Sequence, residues 1–250
     1  METMRRFLLL AASVCVLLGF GATTTYAVKT ITPSASLGSQ LGSTVQLGGT
    51  AVPVKSPVCP KGTAPQSCTF VMTRVTALQT VINGATYPTA VKQSGQIVAF
   101  TVGLAQLSSN PTTAKNFTSQ LNAKYGGAAE AELTVLTPGK NNQFTVAAQG
   151  PVEQLQPYLG YVVQFPLATP IPVKPGQVVA LTVGTWAPVL SYNLASKYYS
   201  YRQSRSFNCK TVGTQQNAVT AVGQTKSFAC SYPGTRAEYS ATEVTNPVTP

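Results

Sequence analysis

Apolar and polar residues alternate in short bursts along the chain, and the bursts are separated by turn formers. The clearest is Gln96–Leu104, where Val98, Phe100, Val102 and Leu104 fall on one side, the period of two expected of a strand with one buried face. Ala129–Leu136 repeats the pattern, with Ala131, Leu133 and Val135 against Glu130, Glu132 and Thr134. Cys68–Leu78, Gln143–Ala148, Tyr161–Leu167, Ile171–Val173 and Gln177–Val183 read as further strands, with Arg74 set among apolar neighbours in the first. Between them stand Thr137-Pro-Gly-Lys-Asn-Asn142 and Lys174-Pro-Gly-Gln177, both rich in residues that close hairpins.

One stretch breaks the alternation. Ala114, Phe117, Leu121 and Tyr125 step by three and four, which predicts a single short helix near 113–125 within Pro111–Tyr125, ended by Gly126. Many short strands, no repeat and no strand–helix alternation predict an all-β fold, an antiparallel β-sandwich of jelly-roll type.

The ends differ from this body. Arg5 and Arg6 precede an apolar run from Phe7 to Ala22, and Thr25 and Ala27 supply small residues at a cleavage position. This predicts an export signal over 1–27. The run is short for a membrane span of about 20 residues, and no later stretch approaches that length. Residues 28–57, rich in Ser, Thr, Gly and Pro, predict a loosely held arm with one strand at Thr44–Leu47, followed by a sandwich domain over 58–239. Residues 240–250 show no apolar periodicity and are expected to fray.

Composition narrows the chemistry. The 250 residues include 17 Lys+Arg, 6 Asp+Glu and no histidine, and every acid is a glutamate. No histidine-dependent nucleophile pair exists, and zinc and calcium motifs that need His or Asp fail. No metal and no cofactor is therefore expected. Serine never stands three residues before a lysine, and G-x-S-x-G, P-loop and G-x-G-x-x-G are missing. Export would remove Cys15 and leave Cys59, Cys68, Cys209 and Cys230, an even count that predicts two disulfides in an oxidising compartment. Of three connectivities, the two local ones, Cys59–Cys68 and Cys209–Cys230, are favoured because each closes a short loop. Asn116-Phe-Thr118 is a glycosylation sequon, relevant only in a host that uses it.

The segment Phe165 to Val183, Phe-Pro-Leu-Ala-Thr-Pro-Ile-Pro-Val-Lys-Pro-Gly-Gln-Val-Val-Ala-Leu-Thr-Val, resembles the late-strand pattern of galactose-binding-like jelly-roll sandwiches, in which the chain crosses from one sheet to the other. The resemblance implies a sandwich and raises the expectation of carbohydrate binding. It carries over no site residue, since fold alone does not give function.

Two places attract functional readings. Glu130 and Glu132 share one face of a strand and form the closest carboxylate pair, the minimum a glycosidase needs. Their alternation with apolar residues places them instead on a solvent face. Trp186 to Arg205 holds the only tryptophan, with Tyr192, Tyr198, Tyr199 and Tyr201 and the bases Lys197, Arg202 and Arg205. Aromatic faces stack on sugars and guanidinium groups pair with anions, so these eight residues are the candidate ligand surface. The competing reading makes the aromatics core. The positive charge is too dispersed for specific nucleic-acid binding. The sequence therefore predicts a secreted, non-catalytic sandwich that binds a glycan or an anionic cell-surface polymer. A structural or protein-interaction module of the cell envelope is the alternative, and a carboxylate-only hydrolase stands behind both.

Overall fold

The computed structural model describes residues 42–54, 71–209 and 215–246. It is mainly β, with antiparallel sheets packed together and a half-barrel curl. Among the described residues there are fifteen strands: β1 (Thr44–Leu47), β2 (Met72–Ile82), β3 (Ala85–Thr86), β4 (Gly95–Gly103), β5 (Glu130–Pro138), β6 (Gln143–Gln149), β7 (Glu153–Gln154), β8 (Val162–Val173), β9 (Val178–Ala187), β10 (Leu190–Ser191), β11 (Tyr199–Gln203), β12 (Thr225–Ser227), β13 (Cys230–Pro233), β14 (Arg236–Ala237) and β15 (Tyr239–Thr245). One sheet runs β1-β15-β4-β8. The other runs β12-β6-β5-β9-β2-β11-β13, with β3 on β2 and β7 on β5, and β10 pairs β14 separately.

The alternating runs fold as strands, with one departure: in β4 a register shift buries Ile97 and leaves Val98, expected on the buried face, half-exposed. Phe100, Val102, Leu133 and Val135 are fully buried and meet between the sheets, with Phe100 and Phe165 ring centroids 5.2 Å apart. Tyr161–Leu167 and Ile171–Val173 join in one strand, β8, whose pairing with β4 shifts register between Ile97 and Ala99. The turn Lys174-Pro-Gly-Gln177 then carries the chain from the smaller sheet into β9 of the larger. The helix α1 (Pro111–Tyr125) starts on Asn110, whose side chain accepts from Thr113 N at 3.0 Å. It ends on Gly126 in the left-handed conformation (φ 82°), the usual place for glycine.

Two expectations about the ends are corrected. Residues 240–245 are not a frayed tail. They belong to β15, hydrogen-bonded between β1 and β4, with Tyr239, Ser240 and Ala241 buried. Likewise the sandwich does not start at 58, since β1 is one of its strands. The Tyr239 hydroxyl donates into the larger sheet, 3.0 Å from Val179 O, and accepts from Gln79 N at 3.1 Å. A strand of short, polar residues can be central when its neighbours cover both faces, which periodicity does not register. Residues 1–27, the arm before 42, the 247–250 end and the Cys59–Cys68 pairing lie outside the described residues.

The outer face of the larger sheet is also corrected, for it is not open to solvent. Residues 215–229 lie across it and build a second apolar cluster from Leu78, Leu136, Phe144, Val146, Val219 and Phe228. The Cys209–Cys230 disulfide ties one end of this segment. Beneath it, buried hydroxyls of Thr76, Thr182 and Thr134 link three central strands at 2.7 and 2.6 Å. Val219 N donates to Thr76 Oγ1 at 3.0 Å. These three buried hydroxyls are thus paired, as burial requires.

Candidate functional site

The structure separates the eight residues of the aromatic segment. Trp186 is fully buried on β9. Its indole N–H donates to Asn122 Oδ1 at 2.9 Å and Gly127 O at 3.2 Å, so it anchors the end of α1 to the sheet. Tyr201 is also buried, stacked on Tyr232 across the β11–β13 ladder with centroids 4.9 Å apart. Burial pushes its phenol well above the ordinary range. Tyr199 donates to Asn83 Oδ1 at 2.6 Å. Arg202 donates to Phe228 O at 3.0 Å and Ala229 O at 3.3 Å, closing the covering segment onto β11.

Arg205 is half-buried beside Tyr232, and Tyr192 is half-buried as well. Lys197 and Tyr198 are the exposed pair, with Nζ 4.7 Å from the ring centroid. The segment is therefore mostly scaffold, and the core reading of Trp186 and Tyr201 is the correct one. Large aromatics next to a strand run bury by default, and this stretch continues straight from β9.

The carboxylate pair sits on the outer face near the covered strip. Glu130 and Glu132 are each half-buried. Glu132 accepts from Gln149 Nε2 at 2.8 Å, and that side chain also donates to Val219 O at 3.0 Å. Glu130 lies over the bare backbone of Gly184, with Oε1 at 2.6 Å from where a Cβ would stand. Burial, aided by the neighbouring Glu130, raises the Glu132 carboxyl to about 7.

A groove at one end of the sandwich was not foreseen. Three loops converge there: 86–92 after β3, 138–142 between β5 and β6, and 174–177 between β8 and β9. Gly176 N donates to Val91 O at 3.1 Å, Val91 N to Gln177 O at 2.9 Å, and Phe228 N to Asn142 O at 2.8 Å. Together they enclose about 270 Å³, lined by Tyr87, Pro138, Gly139, Phe144, Gly176 and Val178 among others.

Tyr87 is held at φ 45°, an uncommon backbone state for an aromatic residue. Tyr87 N donates to Thr80 O at 2.8 Å, and its own carbonyl accepts from Ala90 N at 2.9 Å. Strained backbone of this kind clusters at ligand sites. Sequence marked two of these loops as turns, but their convergence is a property of the sheets.

Among the described residues no group of three or more His, Cys, Asp or Glu could hold a metal. No described helix is long and apolar enough to cross a membrane. Comparison with known proteins gives no match to a family model, a curated protein or a solved structure.

Proposed function

We propose that this is a secreted, non-catalytic jelly-roll-like sandwich that binds a polysaccharide or other polymer of the cell envelope, and that the three-loop groove is its site. The observation that carries this reading is the groove itself. Loops gathered at one end of a rigid sandwich are where such scaffolds carry binding residues. This one presents an exposed aromatic, Tyr87, held in a strained conformation over an apolar floor. Glycines 139 and 176 line the groove without side chains that would narrow it. The Cys209–Cys230 disulfide suits an exported chain.

A second reading, a structural or protein-interaction module of the envelope, draws on a different surface. Tyr158, Tyr161, Val162 and Val152 are exposed around the turn that leads into β8, with Tyr161 68% accessible. Tyr158 also packs edge-on against Phe165 at 5.7 Å. The two readings part in a polysaccharide pull-down. Retention of the chain on glycan, lost in Tyr87→Asn and kept in Tyr161→Ser, supports the groove. No retention on any glycan, with self-association or protein capture lost in Tyr161→Ser, supports the module. A hydrolytic activity lost in Glu130→Gln and Glu132→Gln would overturn both.

A further inference from the structure

Lysines occupy all three loops that form the groove, and no acid does. Lys140 lies in the turn between the lining residues Gly139 and Asn142, Lys174 opens the turn that carries Gly176, and Lys92 follows Ala90 by two positions. All three are exposed. Residues 85–95, 137–143 and 173–178 contain no glutamate. On β15, the carboxylate nearest this end along the smaller sheet is Glu243, buried against Gly95 with Oε1 unpartnered. Burial raises its pKa, which weakens any charge it sets against the lysines.

The groove and its rim select different things. A volume of about 270 Å³ lies just under the range of roughly 300–1,000 Å³ typical of small-molecule sites, so it admits one ring rather than a stretch of chain. Its apolar wall, Tyr87 with Phe144 and Val178, suits the C–H face of a sugar. The three loops that frame the groove carry lysine as their only charged residue type, and no arginine. Lysine offers a flexible point charge without the fork that reads a particular oxyanion, so the rim responds to the amount of negative charge and not to its shape.

We infer that the groove takes one sugar ring of an anionic polysaccharide, its face against Tyr87 and its negative substituent among Lys92, Lys140 and Lys174. The inference rests on the glycan-binding reading above and adds the substrate class. A ligand with ring and charge together satisfies both parts of the site, while a ligand with only one of them satisfies half.

The test measures affinity of the full chain, at low ionic strength, for four polymers. Polygalacturonate and dextran sulfate carry ring and charge, dextran carries the ring alone, and polyphosphate carries charge alone. The expected result is binding to polygalacturonate or dextran sulfate at least about tenfold tighter than to dextran. The two anionic glycans then show whether carboxylate or sulfate is preferred. Replacing Lys92, Lys140 and Lys174 together by Gln should abolish that preference and leave dextran binding unchanged. Tyr87→Asn keeps a residue suited to φ 45° and should weaken both anionic glycans while sparing polyphosphate.

Equal affinity for dextran and the anionic glycans, or a triple variant that binds as the wild type does, overturns the acidic ligand and leaves glycan binding standing. Binding to polyphosphate alone overturns the ring in the groove, and with it the glycan reading. No binding to any of the four overturns both.

Discussion

Replacing Glu132 by Gln should stabilise the protein at neutral pH and do little at pH 4. The carboxyl lies half-buried on the outer face of the larger sheet, beside Glu130, with its pKa raised from 4.5 to about 7. A carboxyl with a raised folded-state pKa binds protons more tightly folded than unfolded, so its stabilisation is complete below about pH 4.5. That stabilisation is lost as pH climbs towards about 7, and above this the penalty is constant. A shift of this size corresponds to roughly 3 kcal/mol at most. Partial exposure and solvent screening reduce it to about 1–2 kcal/mol.

Glutamine keeps the shape, can still accept from Gln149 Nε2, and does not titrate. Urea unfolding of both proteins from pH 4 to pH 8 therefore predicts a difference that grows by about 1–2 kcal/mol in favour of Glu132→Gln. In a thermal melt each kcal/mol amounts to about 2–4 °C. Two parallel stability curves would refute the buried, proton-holding carboxyl and with it the covering of this face by residues 215–229.

Other consequences are equally direct. Trp186 is the only tryptophan, so its fluorescence should be blue-shifted and nearly unquenched by iodide. Exposed-tryptophan quenching would return this residue to the candidate ligand surface. Arg236 and Glu238 form a buried ion pair at 3.1 Å, and Arg236 Nη2 also donates to Thr50 O at 2.7 Å. Arg236→Met should cost about 3–5 kcal/mol by leaving Glu238 unpaired, and adding Glu238→Gln should recover part of it. A double variant no more stable than the single one would show that the backbone contacts to residues 48–50, and not the charge pair, set the cost.

Much of this fold was legible in the sequence because its central strands have one buried face that alternates, as β4 does from Phe100 to Leu104; the register shift that buries Ile97 in place of Val98 was not. The helix was legible because its apolar steps and its Gly126 stop agree. β15 was not, since Ser240, Thr242 and Thr245 break the apolar pattern. Their burial is decided by β1 and β4, which come from elsewhere in the chain.

The candidate site divides in the same way. Spacing could gather Trp186, Tyr198, Tyr199 and Tyr201 into one segment. It could not reveal that Trp186 and Tyr201 face inward while Tyr198 faces out. Conversely, Tyr87, Gly139 and Gly176 are far apart in sequence and are brought together at the groove by three turns. Turn formers predict a bend and say nothing of what the bend meets.

The proposed site is tested most directly by mapping hydrogen–deuterium exchange of the full chain with and without a bound anionic polysaccharide. Protection of amides in 86–92, 138–142 and 174–177, with 192–205 unchanged, is the predicted result. Protection confined to 192–205, or to the turn around Tyr158 and Tyr161, would contradict it.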